Sequence, residues 1–289
     1  PDLLSEPKDG FAVMEQVQST KAARTHLPGK AKVGFAILAV YVLLGVFGPI
    51  LLPFDPDKAN VLQRLKPPSS THWLGTDQLG RDFLIRLLYA IRIDIPVAFA
   101  AAFFPMVIGT ALGAIAGYYG KFTDLIVSRA ADMVQAFPVY VFLLVLVFAL
   151  GSGATSFIIA ATAIAWVGYA RLTRGEVLRL KGQEFVAAAR VTGLPEWKTL
   201  VTHVMPNALP QTLIYFMSDV VLMVLVLSSL SFLGVGIQPP TAEWGRMISE
   251  GQPFLHSHWR LAVAPGLMLM VFGIALSLIA DGLDEWFRA

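Results

Sequence analysis

The 289-residue chain has no cysteine, which excludes disulfide frameworks, thiolate metal sites and cysteine nucleophiles. Charge is scarce as well. Charged residues make up 15% of the chain and hydrophobic ones 56%, too apolar a balance for an ordinary soluble domain. The net charge of +2 is small and no basic face accumulates, which argues against a nucleic-acid partner. No G-x-x-x-x-G-K-[ST] loop is present to cradle phosphates, and no G-x-S-x-G elbow joins a Ser to a His and an Asp. Gly234-x-Gly236 follows an apolar run and opens no nucleotide fold. His256 and His258, near Glu243 and Glu250, lack a third close His or a Cys, so they read as a wet loop rather than a metal site.

What the chain does have is long apolar runs. Crossing the hydrocarbon takes about 20 predominantly apolar residues, and six segments meet or approach that length: 33–52, 95–119, 133–150, 154–170, 208–235 and 261–280. The chain therefore reads as an all-α membrane protein with six transmembrane helices spread over residues 33–289. Residues 1–32 read as a polar cytoplasmic tail. They hold no apolar core of the kind a cleavable signal peptide needs. With the N-terminus inside, Lys and Arg number 14 on the inner segments against 8 on the outer, which places both termini in the cytoplasm.

Small residues should set the packing. Gly109, Gly113 and Gly117 recur at four-residue spacing, a pattern that lets two helix backbones approach closely, within the chain in the favoured reading and between subunits in the alternative. Pro105 and Pro138 lie within apolar runs and should kink them. The longest inner loop then carries the densest punctuation. Residues 184–192 are a good helix former, and Gly193 permits a left-handed turn. Pro195 suits the first turn of a second helix, which Pro206 should end before the next span. The result is helix, corner, helix, with a slim Ala face able to enter a groove and with Phe185 and Val186 as apolar contacts.

This segment, EFVAAARVTGLPEWKTLVTHVMPN from Glu184 to Asn207, resembles the coupling loop of permeases from binding-protein-dependent ABC importers. Ala188, Ala189, Gly193, His203, Pro206 and Asn207 match that pattern, and the family's acid falls at Ala187 here. Two outer segments narrow the resemblance to the C-type subunit of dipeptide and oligopeptide permeases. LGTDQLGRD, from Leu74 to Asp82, is similar to one signature of that subunit. FLGVGIQPPTAEWG, from Phe232 to Gly245, is similar to another, with Ala242 where a Pro is usual.

The resemblance implies a type I ABC importer permease fold in which Glu184, Phe185, Ala187, Ala188, Ala189, Arg190, Gly193, Leu194, His203, Pro206 and Asn207 couple to an ATPase. It further implies a second, B-type permease subunit, two ATPase subunits that carry ATP and Mg, and an extracytoplasmic substrate-binding protein delivering peptides in a bacterial cytoplasmic membrane. This chain itself would be no enzyme and would hold no cofactor. Asp77, Arg81, Asp82, Glu243 and Trp244 become candidate contacts for the binding protein, although for the outer tryptophans anchoring at the membrane interface is the alternative.

Asp219 is the one acid deep within an apolar run. An acid at that depth faces a cavity or a partner. It could line the path and meet a peptide amine, or make a helix–helix hydrogen bond, or lie nearer the surface than the run suggests. As the coupling acid of an ion-driven transporter working without ATPase subunits, it would support a different function.

Overall fold

Charge-free stretches of membrane length have one low-energy form in lipid, the α-helix, because each backbone N–H and C=O must be satisfied inside the segment. The computed structural model obeys this constraint and describes residues 27–51 and 55–288. Among them the regular structure is helical, apart from one isolated bridge between Thr76 and Asp82. Most of the expected N-terminal tail, residues 1–26, lies outside the described residues, as do residues 52–54.

The helices are, in chain order, α1 (Gly29–Leu51), α2 (Phe83–Tyr119), α3 (Lys121–Gln135), α4 (Val139–Leu150), α5 (Ala154–Lys181), α6 (Glu184–Val191), α7 (Glu196–Thr199), α8 (Met205–Phe232), α9 (Trp244–Gly251), α10 (Leu255–His258) and α11 (Arg260–Arg288). Five stretches among the described residues are long and apolar enough to cross a membrane. The count reaches six when α3 and α4 are taken as one span bent by 84°.

Several helices outrun the apolar stretches that announce them. α2 begins where Asp82 caps it, its side chain accepting a hydrogen bond from the Ile85 amide, so the turns before residue 95 and the span form one rod. α5 continues to Lys181, eleven residues past the expected end at 170. The expected span 133–150 is split, because Pro138 sits at the break and not inside a kinked helix. Pro206 does not end a helix either: residues 196–232 run on as one helical stretch, with Leu200–Val204 wound as π-helix just before the proline. Proline lacks an N–H and crowds the preceding turn; a locally wider turn relieves both.

The glycine series decides the central helix contact. A Cβ at Gly109 would lie 2.2 Å from the Trp166 carbonyl oxygen, and one at Gly113 would lie 2.3 Å from that of Ala170. The α2 and α5 backbones therefore touch, as the spacing predicts, and any larger residue would force them apart. Elsewhere Gly34 seats α1 on α11 beside the Ala275 carbonyl. Tyr41, Trp244 and Phe272 pack ring against ring at centroid distances of 5.9–6.4 Å, joining α1, α9 and α11. Two ends result. One, the loop end, holds Tyr118, Lys181, α6, α7 and the Lys30–Glu285 pair. The other, the cap end, holds residues 55–82 together with α9 and α10.

Candidate functional site

At the loop end, α6 leaves α5 after Gly182 and stops at Gly193, whose φ of +79° turns the chain towards α7. Only glycine adopts that conformation without strain. Val186 is fully buried, packing α6 on Leu200 and Val204, and Ala189 is nearly so. The expected contact surface therefore loses Val186 and, among the expected coupling residues, Ala189, whose side chains face the molecule's interior. Glu184, Phe185, Ala187, Ala188 and Gly193 face outward, Arg190 and Leu194 are half-buried, and Val191 and Trp197 add large exposed apolar surface.

The corner is tied to the rest of the molecule through Tyr118, near the last residue of α2. Its hydroxyl donates to Glu196, its carbonyl accepts from Lys181, and the Arg190 guanidinium lies over its ring at 5.4 Å. Arg190 also approaches Glu196 at 3.5 Å. His203, half-buried, and the exposed Pro206 and Asn207 belong to the π-wound stretch and its exit. There the Asn207 side-chain Nδ2 donates to the His203 carbonyl at 2.7 Å, satisfying an acceptor in the disturbed ladder.

At the cap end, the two outer signatures meet. Asp77 accepts from the Leu79 and Arg81 amides and, at 2.6 Å, from the Arg81 guanidinium. Arg81 reaches on to Glu250 of α9 at 3.1 Å. Asp82, besides capping α2, holds His72 Nδ1 at 2.7 Å. Trp244 donates its backbone amide to Asp94 and its indole N–H to the Leu87 carbonyl. Glu243 caps α9 through the Gly245 and Arg246 amides. Burial pushes the Glu243 carboxyl up to about 7, against the lowering effect of those two amides.

All five expected binding-protein contacts, Asp77, Arg81, Asp82, Glu243 and Trp244, are buried at 6% exposure or less. They cannot touch a docking protein directly, because their hydrogen bonds are spent on building the cap. Trp73, by contrast, is 65% exposed.

In the middle of the molecule, Asp219 of α8 is buried and accepts a hydrogen bond from the Tyr169 hydroxyl at 2.8 Å. It also lines a cavity of about 210 Å³ between the α3–α4 break, α5 and α8. The helix–helix hydrogen bond and the cavity position thus occur together.

Arg86, Asp94 and Tyr118 carry structural weight that the sequence reading does not assign, and Glu250, read there as part of a wet loop, instead holds Arg81 in the cap. Arg86 is buried and bonds the Pro56 and Pro240 carbonyls. Asp94 is fully buried, with Oδ1 unpartnered among the described residues. Charges scattered through the apolar turns just ahead of the run at 95–119 are the signal for Arg86 and Asp94; for Tyr118 the sequence carries none.

Residues 109–289 match the family described as binding-protein-dependent transport system inner membrane component, and residues 30–68 match the N-terminal TM domain of oligopeptide transport permease C. The chain is 37% identical to the oligopeptide transport system permease protein OppC of Bacillus subtilis (strain 168), over 88% of this chain and 84% of that one. Against the dipeptide transport system permease protein DppC of the same organism it is 34% identical, covering 88% and 80%. Against the nickel transport system permease protein NikC of Escherichia coli (strain K12) it is 34% identical, covering 88% and 92%. Among solved structures, an inward-facing form of the MetNI methionine ABC transporter superposes with a TM-score of 0.55 at 17% identity, covering 70% of this chain and 94% of that one; the fold is that of a type I importer permease. By sequence and by fold, the chain belongs to the binding-protein-dependent transport system inner membrane components.

Proposed function

We propose that this chain is the C-type permease subunit of an ATP-driven peptide importer, forming half of the translocation path beside a second, B-type permease. Two ATPase subunits carrying ATP and Mg dock on the cytoplasmic loops, and an extracytoplasmic binding protein delivers the peptide. Residues 33–289 are the membrane unit and residues 1–32 its cytoplasmic tail, with both termini inside a bacterial cytoplasmic membrane. The observation that carries the reading is the helix–corner–helix of residues 184–199, which displays Phe185, Val191 and Trp197 outward while Tyr118 moors it to α2. Three large apolar side chains left exposed on one short helix–corner–helix offer a surface to another protein. Peptide cargo is favoured by the oligopeptide and dipeptide relatives.

An ion-coupled transporter built on Asp219 finds no support in a family whose description specifies a binding protein. Co-expression with the sister permease, ATPases and binding protein tests the assignment. Purified together and placed in vesicles, the complex should take up a peptide only with ATP. Recovery of a stable, active transporter made of this chain alone would overturn it.

A further inference from the structure

The cavity beside Asp219 has the composition of a recognition site for a cation with an apolar body. Asp219 lies thirteen residues before the end of α8 at Phe232, about 20 Å along the helix axis at 1.5 Å per residue, so it sits near mid-membrane. A carboxylate at that depth is costly unless a cavity or partner compensates it. The Tyr169 hydroxyl, itself fully buried, donates to Oδ2 from the α5 side and is the single hydrogen-bond donor to this carboxylate among the described residues. No Lys or Arg lines the cavity. The negative charge is therefore oriented and left without a counter-charge.

The surroundings of the carboxylate match the rest of such a ligand. Tyr215 stands edge-on to Tyr169 at 4.8 Å, and it fits because residue 168 is glycine: a Cβ there would lie 2.5 Å from the Tyr215 hydroxyl. Tyr140 and Gln135 enter from the α3–α4 break, while Leu222 and Met223 supply apolar wall. A carboxylate flanked by tyrosine rings attracts an ammonium through charge and through the ring faces, and the apolar wall accommodates an aliphatic or aromatic side chain.

The geometry points to a cargo-binding subsite in which Asp219, backed by Tyr169 and flanked by Tyr140 and Tyr215, receives the ammonium group of an apolar primary amine such as a peptide N-terminus. This rests on the importer reading and adds to it the chemical class of group the permease itself selects.

The lack of cysteine makes the test direct. A single cysteine introduced as Leu222→Cys, in the complete importer in lipid nanodiscs, reports on the cavity through its rate of maleimide labelling. Leucinamide, a primary amine with an apolar side chain, should slow labelling several-fold, and N-acetyl-leucinamide should not. Adding Asp219→Asn, which retains an oxygen to accept from Tyr169, should abolish the protection. The double variant's assembly is checked by its co-purification with the other subunits, and Tyr140→Ala is a second route that leaves the buried hydrogen bond intact and should weaken protection.

Equal protection by both amides, protection by neither, protection that survives Asp219→Asn in an assembled complex, or protection left unweakened by Tyr140→Ala would overturn the subsite. ATP-dependent peptide uptake by the unmodified complex is measured alongside. Loss of that activity would strike at the importer assignment, whereas uptake without amine-specific protection would strike at the subsite alone.

Discussion

The two ends of this molecule use their distinctive sequences in opposite ways. At the cap end the signature residues Asp77, Arg81, Asp82, Glu243 and Trp244 turn inward, and segments some 160 positions apart close on each other through Arg81–Glu250 and Trp244–Asp94. At the loop end the signature turns outward, and only Val186 and Ala189 of α6 are buried. A dense cluster of distinctive residues can therefore serve either internal hydrogen bonding or a partner. Burial tells the two apart: buried polar groups demand partners within the fold, whereas exposed apolar ones are available to another protein.

The sharpest way to break this contrast is to damage the cap. Trp244→Ala removes a fully buried ring that packs on Tyr41 and Phe272, and large-to-small changes of that kind cost about 3–5 kcal/mol. Thermal unfolding of the detergent-purified complex should show a marked loss; an unchanged midpoint would mean the cap does not hold the fold. At the loop end, Gly193→Val forces a β-branched residue into a left-handed turn, a strain of about 1–2 kcal/mol. A Cβ there meets nothing within 4 Å, so the effect stays local. Uptake should fall about tenfold, the equivalent of about 1.4 kcal/mol, while ATP hydrolysis continues and the melting midpoint falls by only a few degrees, less than for Trp244→Ala. Normal uptake would remove the coupling role from this corner.

The third test uses pH. Burial raises the Glu243 carboxyl, which faces the buried Asp94, to about 7 from an ordinary 4.5, so between those values the folded pair holds a proton that the unfolded state has released. Stability from this group is then fully present below about pH 4.5 and is lost as pH rises towards 7. Glu243→Gln cannot titrate, and the difference in melting midpoint between wild type and variant should change across that window and flatten above it. A constant difference would show that Glu243 takes no part in the titration of the pair it forms with Asp94. The smallest effect belongs to Phe185→Ala. Its side chain is 40% exposed, so stability should stay within about 0.5 kcal/mol, while recovery of ATPase subunits in a pull-down should drop. Full recovery would shift the docking surface elsewhere on the loop.

Much of this architecture is legible in the sequence because lipid leaves the backbone so little choice. The apolar runs mark where the helices are, the glycine spacing marks a close helix contact without naming α5 as its partner, and Gly193 marks the corner. What the runs do not mark is how far helices continue into water. The final turns of α5 carry Arg174, Glu176, Arg179 and Lys181, which side-chain pairing tolerates in a helix as readily as apolar packing does. Pro206 misled for a related reason, since a π-wound turn can absorb a proline that an α-turn rejects. The inward direction of the cap residues was hidden because their partners are distant in sequence: Asp94 lies 150 positions from Trp244. The cavity at Asp219 was half legible, since a lone mid-run acid announces a partner without naming Tyr169 or the surrounding tyrosines.

One feature of the fold bears on both ends at once. α2 runs unbroken for 37 residues, about 55 Å at 1.5 Å per residue. Asp82 and Arg86 fasten it into the cap, and Tyr118 fastens it to the corner beside Gly193. Backbone contact with α5 along the glycine series splints its inner half. Mechanically this is a connecting rod with a bearing at each end. Push on the corner and the cap must answer, unless the rod flexes at Pro96 or Pro105, the two interior prolines that interrupt its hydrogen-bond ladder.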